Sequence, residues 1–391
     1  MVGEAGRGPS KAAERRAGIL EQSAILFRRR GYSEVGIDDI GRAAGVSGPA
    51  IYRHFDGKQD LLDQVIESYL DALMQRWDEA IAEGIEAPIL QGVVRSAIDR
   101  PNEYYAYSNQ RHMLEGDYAE KLLRARRPIK AGWKELLAAH GLELGRDDAR
   151  FRLVAMEGIL IHASLTDKAS RSARSAMALA ASKSLLSLPV PAPGARHADV
   201  GARVLHHHNR REEVFAAAIG LFADRGFTAV TLKDIGAEVG VSASAIHRHF
   251  DSKDSILSTA VERSAEQMRA AIAVAIARSS TPREALDDIA QRAGALFAES
   301  WELFGLNLYL ATSLPREEAV AARQSRRTNL DEMAHLLVDA VEGLSLSSAR
   351  VRVGAMLSVL NNVVRNRRLV AIDNLAQMLT VISKYVLFGD D

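Results

Sequence analysis

Cysteine does not occur anywhere in the 391 residues. That excludes disulfides, thiolate metal centres and a cysteine nucleophile, and it fits a reducing interior. An excess of one charge is missing as well: 50 Lys+Arg stand against 50 Asp+Glu, so any nucleic-acid surface must be a local patch. No apolar run approaches the roughly 20 residues of a membrane-crossing helix. The N-terminal MVGEAGRGPSKAAERR carries positive charge without the apolar stretch of a secretory signal. A soluble, cytoplasmic protein with no membrane partner is expected. Enzyme signatures are also lacking: there is no nucleotide-cradling glycine loop, no HExxH and no GxSxG. Pairs such as Glu157 with His162, or Glu115 with His112, are scattered. Neither an enzymatic activity nor a cofactor is expected.

What is present is ordinary globular material, 47% hydrophobic and 26% charged, on a chain long enough for two or more domains. Strand signals are weak, and periodic Ala-, Leu-, Glu- and Arg-rich segments such as 148–165 and 347–364 predict an all-α fold. Prolines are few, ten in all, yet three fall within PVPAPGARHADVG at 189–201. That stretch has no helical periodicity and reads as an interdomain linker, extending to 207.

The linker separates two copies of one motif. Residues 25–58 laid over 220–253, at a constant offset of 195, are identical at 18 of 34 positions without a gap. LFRRRGYSEVGIDDIGRAAGVSGPAIYRHFDGK stands over LFADRGFTAVTLKDIGAEVGVSASAIHRHFDSK. In the first helix of each copy, Ile19, Ser23, Leu26 and Phe27, matched by Val214, Ala218, Leu221 and Phe222, form one buried stripe. Gly31 and Gly226 end that helix. A short second helix turns Ile37 and Ile40 inward, or Leu232 and Ile235, behind a cap at Gly36 or Thr231. Gly45-Val46-Ser47 and Gly240-Val241-Ser242 then make a tight turn and cap a third helix. Asp56 with Gln59, and Asp251 with Asp254, read as capping boxes opening a fourth helix, with Lys58 and Lys253 in its first turn. Two short helices joined through such a glycine form a helix-turn-helix, whose second helix enters the major groove.

This pattern, LF…GY/F…I…AGVS…AIYRHFxxK, resembles the TetR/AcrR family of bacterial one-component regulators, specifically over 18–62 and 213–257. Two units in one chain are similar to the double-domain regulators of actinobacteria, which include repressors of lipid- and sterol-import operons. The resemblance implies two TetR-like units, each a three-helix DNA-binding domain plus a helical effector-binding and dimerisation core. The resulting divisions are a basic arm at 1–17, DNA-binding domains at 18–62 and 208–257, cores at 63–188 and 258–391, and a linker at 189–207. Base-facing residues would be Gly48, Pro49, Ala50 and Arg53, then Ala243, Ser244, Ala245 and Arg248. Phosphate contacts would fall to Ser47, Tyr52, His54 and Lys58, then to Ser242, His247, His249 and Lys253. Lys233 occupies a position of the second helix that can reach DNA, where the first copy has Asp38. Arg7, Lys11, Arg15 and Arg16 would form an arm along the backbone or minor groove.

Family members of ordinary length bind as homodimers through their last two helices. Here helices at 148–166 and 169–187 would pair with 347–366 and 370–388 as an intramolecular pseudo-dimer, with further self-association left open. Expected partners are a double-stranded operator, asymmetric because the two readers differ, and a hydrophobic effector, lipid or acyl-CoA related, that releases a repressor. Effector binding would shift the fourth helix and disturb a recognition-helix separation of about 34–36 Å. The alternative is DNA binding by one unit only, the other being a degenerate interaction module. Tyr104, Tyr105, Tyr107, His112, Met113, Trp133, Met156 and His162, and Trp301, Phe304, Tyr309 and Met356, are candidate effector-pocket residues, with plain core packing as the competing reading. His206-His207-His208 beside His197 is set aside as a metal site, since three adjacent side chains cannot all face one ion.

Overall fold

A computed structural model describes residues 11–166, 170–195, 209–227, 229–306, 314 and 316–389. Regular structure among them is helical, and none of these helices is long and apolar enough to cross a membrane. The chain divides into two compact units, Met1–Leu136 and Leu137–Asp391.

The first unit holds α1 (Lys11–Arg30), α2 (Ile37–Ala43), α3 (Gly48–Ile51), α4 (Lys58–Ala82), α5 (Pro88–Asp99), α6 (Pro101–Gln110), a 3-10 turn at Arg111–Met113, α7 (Gly116–Ala125) and most of α8 (Arg127–Ala139). Its spine is α4, whose Leu61, Leu62, Val65, Ile66, Tyr69, Leu70 and Leu73 recur at helical spacing and are all buried. Each such side chain contributes about 1.5–3 kcal/mol on leaving water. Trp77 at the far end of α4 needs two glycines beside it. A Cβ on Gly132 of α8 would lie 2.6 Å from the indole, and one on Gly92 of α5 would lie 3.0 Å from the Trp77 backbone nitrogen.

The second unit begins with α9 (Asp147–Leu165) and α10 (Arg171–Ser187). It continues with α11 (Arg210–Arg225), α12 (Leu232–Glu238), α13 (Ala243–Ile246), α14 (Lys253–Arg278), α15 (Pro282–Glu299) and α16 (Trp301–Gly305). It ends with α17 (Arg316–Ala340), α18 (Leu346–Val364), α19 (Arg367–Val370) and α20 (Leu375–Phe388). The division between units therefore falls inside the span read from sequence as the first core. The reason is that α9, from the first copy, packs along α18, from the second. The two backbones come very close: a Cβ on Gly158 would lie 2.7 Å from Val359 Cα, and one on Gly354 would meet the His162 ring. Ser358 donates to the Gly158 carbonyl at 2.9 Å and Asn362 to that of Val154 at 2.8 Å. Of the expected helix pairs between the copies, 148–166 against 347–366 is thus present.

Its outer helices differ from the expected bundle. α10 lies on α9, whereas α20 lies on α18 and even more extensively on α15. The helix expected at 370–388 is also broken, into α19 and α20, because the intervening chain turns to grip the linker. Asp373 N donates to the Ala195 carbonyl at 3.0 Å. The Asn374 amide donates to the Ala192 carbonyl at 2.8 Å and accepts from Gly194 N at 2.7 Å.

Candidate nucleic-acid interface

In both copies the turn between the second and third helices rests on two glycines. Gly45 and Gly240 adopt φ of 69° and 68°, a left-handed conformation open to glycine. One turn earlier, Gly41 and Gly236 let the second helix touch the turn. A Cβ on Gly41 would lie 2.9 Å from the Val46 carbonyl oxygen, and one on Gly236 would lie 2.5 Å from that of Val241. Ile40 and Ile51, with Ile235 and Ile246, are fully buried and lock the two helices together. Behind them the second copy shares one apolar core, Phe215, Phe222, Ile246 and Phe250 included, with Leu257 and Val261 of α14 and Leu303 beside them.

The outward residues are placed as follows. α3 and α13 end at Ile51 and Ile246, shorter than the sequence predicts, so Arg53 and Arg248 stand exposed at matching places in the turn just past them, as do the C-cap residues Tyr52, at 60% exposure, and His247. His54 and His249 are half-buried beside them. Pro49 and Ser244 are exposed, and Ala50, Ala243 and Ala245 are half-buried. Gly48 is buried instead: a Cβ there would meet Asp38 Oδ1, so the Asp38 carboxylate covers the start of α3. Lys233, the matching residue on α12, is exposed.

The caps also diverge. Ser47 sits at the N-cap of α3 without a side-chain cap bond. Ser242 accepts from Ala245 N at 3.3 Å and shares a 2.8 Å hydrogen bond with Ser244. His247 Nδ1 lies 3.1 Å from the Asp251 carbonyl. For the second helix, Asp39 Oδ2 accepts from Gly36 N at 3.1 Å, and in the second copy Asp234 and Thr231 complete a full box. These bonds hold the carboxyls of Asp39 and Asp234 below the usual carboxylate range.

Several expectations require correction. The fourth-helix caps are Gly57 and Ser252, one residue later than Asp56 and Asp251, and the box in the second copy pairs Ser252 with Ser255. Lys11, Arg15 and Arg16 belong to α1 rather than to a separate basic arm, and the Arg16 guanidinium stacks 5.0 Å from the Phe55 ring centroid. Arg7 lies outside the described residues. Lys58 and Lys253 do stand in the first turn of α4 and α14, but both ammoniums point back into the domain. Lys58 donates to the Ser33 carbonyl at 3.1 Å over the Tyr32 ring, and burial pushes its pKa down. Lys253 donates to the carbonyls of Phe227 and Val230 at 2.7 and 2.9 Å over the Phe227 ring. A phosphate contact would require either lysine to leave these acceptors.

Sequence reasoning passed over Gly41, Gly236 and the ring contacts of Arg16 and Arg211. The signal was available, since all four recur at the offset of 195.

The candidate effector residues are largely packing residues. Tyr104 is buried with its ring 5.4 Å from Tyr69, and Tyr107 lies 5.1 Å from the same ring. Met156 and Met356 are buried within α9 and α18, where His162 also meets Gly354. Phe304 stacks on Phe297 at 4.1 Å, and Trp301 lies under the Arg367 guanidinium at 4.4 Å. Tyr105, Trp133, His112 and Met113 are half-buried or more exposed. Tyr309, His197 and His206–His208 lie outside the described residues, among which no cluster of metal ligands occurs.

Comparison with known proteins follows the repeat. Residues 19–65 and 214–260 each match the profile of bacterial regulatory proteins of the tetR family. The chain is similar to the HTH-type transcriptional repressor KstR2 of Rhodococcus jostii strain RHA1, 28% identical over 144 residues, covering 35% of this chain and 68% of that one. It is also similar to the HTH-type transcriptional activator FasR of Mycolicibacterium smegmatis, 30% identical over 107 residues, covering 27% and 48%. The matches to FasR and to the KstR2 repressors of Mycolicibacterium smegmatis and Mycobacterium tuberculosis span less than half of those relatives' lengths. Among solved structures, the TetR family regulator PfmR of Thermus thermophilus aligns with a TM-score of 0.41 at 22% identity, over 46% of this chain and 98% of that one.

Proposed function

We propose that this chain, in which residues 19–65 and 214–260 each match the tetR-family profile of bacterial regulatory proteins, is a ligand-released repressor whose two readers engage different half-sites of one operator. The observation that carries this reading is the exposure of Arg53 and Arg248 at the same place in the turn that ends each of two equivalent recognition helices. A guanidinium so placed pairs bidentately with guanine O6 and N7, contributing about 1–3 kcal/mol of discrimination. Around the arginines the readers differ, Pro49 and Tyr52 against Ser244 and His247, so the half-sites differ and the operator is asymmetric. Tyr52, His54, Lys233 and His249 supply phosphate contacts that set register rather than sequence. The effector is a hydrophobic small molecule taken up by a helical core, a reading that rests on half-buried Met113 and Trp133 rather than on the packed Tyr104, Met156, Phe304 and Met356. Release from DNA is favoured over activation by the longer match to a protein named a repressor.

Footprinting the full chain on DNA upstream of its own gene tests this. Arg53→Ala and Arg248→Ala should each lose protection over a different half of the site. Loss over the same half in both variants overturns the two-reader arrangement. A second reading, in which only the second unit engages DNA, is favoured by the Asp38 carboxylate over the start of α3. It predicts that Arg53→Ala changes nothing.

A further inference from the structure

A groove of about 560 Å³ opens between the start of α9, the linker at 190–194 and Met378 of α20. Its linker wall is held in place from behind by Asn374. The charged residues that line it are Arg146, Asp147, Asp148 and Arg152.

Arg152 is the unusual member. It is only 8% exposed, its Nη1 donates to the Leu185 carbonyl near the end of α10, and its Nε has no hydrogen-bond partner. Burial pushes its pKa down, with Asp148 opposing. Among the described residues no carboxylate comes within ion-pair distance of it. The two nearby acids are occupied within the first turn of α9. Asp147 pairs with Arg150 at 3.4 Å, and Asp148 accepts from Ala149 N at 2.8 Å. A buried cation without an anion is costly and is relieved by a charge-assisted partner. Exposed Arg146, the N-cap of α9, stands beside it with the same charge. The remaining walls, Val190, Pro191, Pro193 and Met378, are apolar.

We propose that this groove binds a small organic carboxylate, its head at Arg152 and its apolar body along the linker prolines. The site is separate from the candidate effector residues of the helical cores and does not depend on DNA binding, so its test reads ligand binding alone.

The absence of cysteine allows a single reporter. Ala192→Cys in the full chain, labelled with an environment-sensitive dye, places a probe on the linker wall. Octanoate is titrated, with octylammonium and inorganic phosphate as comparison ligands, and calorimetry repeats the titration on unlabelled protein. Saturable octanoate binding is expected, weakened about tenfold or more by Arg152→Gln, about threefold by Arg146→Gln, and less by Arg152→Lys than by Arg152→Gln. Phosphate competing weakly for the same site supports the anion pocket. Arg146→Gln is at an exposed position, so it reads the site even if Arg152→Gln fails to fold. Octylammonium binding as tightly as octanoate, octanoate affinity unchanged by both glutamine variants, or no octanoate binding at millimolar concentration would each overturn the proposal.

Discussion

Laid over one another, the two helix-turn-helix units repeat even their ring contacts. Arg16 lies over Phe55 and Arg211 over Phe250, while Lys58 lies over Tyr32 and Lys253 over Phe227. Gly41 matches Gly236 in the carbonyl it approaches, and Gly45 matches Gly240 in φ. What differs sits on the outward face and at the attachments. The first reader presents Asp38, Pro49 and Tyr52, the second Lys233, Ser244 and His247. At the base of α1, Gln110 of α6 donates to the Phe27 carbonyl at 2.7 Å. At the base of α11, Arg367 of α19 pairs with Asp224 at 2.7 Å, and at its opposite end Arg263 of α14 grips Glu212 through two 2.6 Å bonds. The frame and the outward surface can therefore change independently: the frame residues face each other, and the residues proposed to read DNA face outward.

The sharpest way to break the comparison is to spoil one frame only. Gly236→Ala places a methyl group against the fixed Val241 carbonyl, and overpacking of this kind costs about 1–3 kcal/mol. Footprinting should then show loss of the second half-site with the first retained, and Gly41→Ala should give the mirror result. Equal loss at both halves from either variant would mean that the units do not read separately. A smaller effect is expected from exchanging the charges on the second helix. Asp38→Lys should strengthen DNA binding and steepen its salt dependence by about one counterion, and Lys233→Asp should do the reverse. Fluorescence anisotropy across a salt series measures both slopes, and unchanged slopes would remove these residues from the interface. The smallest effect is in acid. The folded pKa values of Asp39 and Asp234 lie below their ordinary value near 3.8. Their contribution to stability is therefore present above that value and is lost as pH falls through the lower folded value. Melts between pH 5 and about pH 2 should show a shallower acid loss for Asp234→Asn than for the parent chain. The difference for Asp39→Asn should be smaller, since Gly36 offers no side-chain bond.

Much of this frame was legible from the chain alone, because the repeat compares the protein with itself. An offset that holds through Gly45, Val46 and Ser47 and through Gly240, Val241 and Ser242 identifies the turn and the caps Thr231 and Ser242, whereas the fourth-helix caps fall one residue later than the pattern suggests. The missed features depend on distances that spacing does not encode. Lys58 and Lys253 look like phosphate ligands by position, yet carbonyls contributed some 25 residues earlier, at Ser33 and Phe227, take up their ammoniums. Gly48 reads as a base-facing residue until Asp38, a neighbour only in space, is found above it. Helical periodicity carries through 370–374, and only the distant linker explains why the chain leaves the helix there. Direct contacts with bases and phosphates, and the effector itself, involve partners whose chemistry the chain does not contain.

The close crossing of Gly158 on Val359 has a consequence for dosage. An interface between separate molecules loosens on dilution and can be spoiled when a damaged subunit joins a sound one. Here both faces are made in a single translation event at a fixed one-to-one ratio, and tethering keeps each at a high local concentration of the other. The α9–α18 pairing is thus insulated from cellular abundance. A substitution on one face of that pairing always meets the partner face encoded with it.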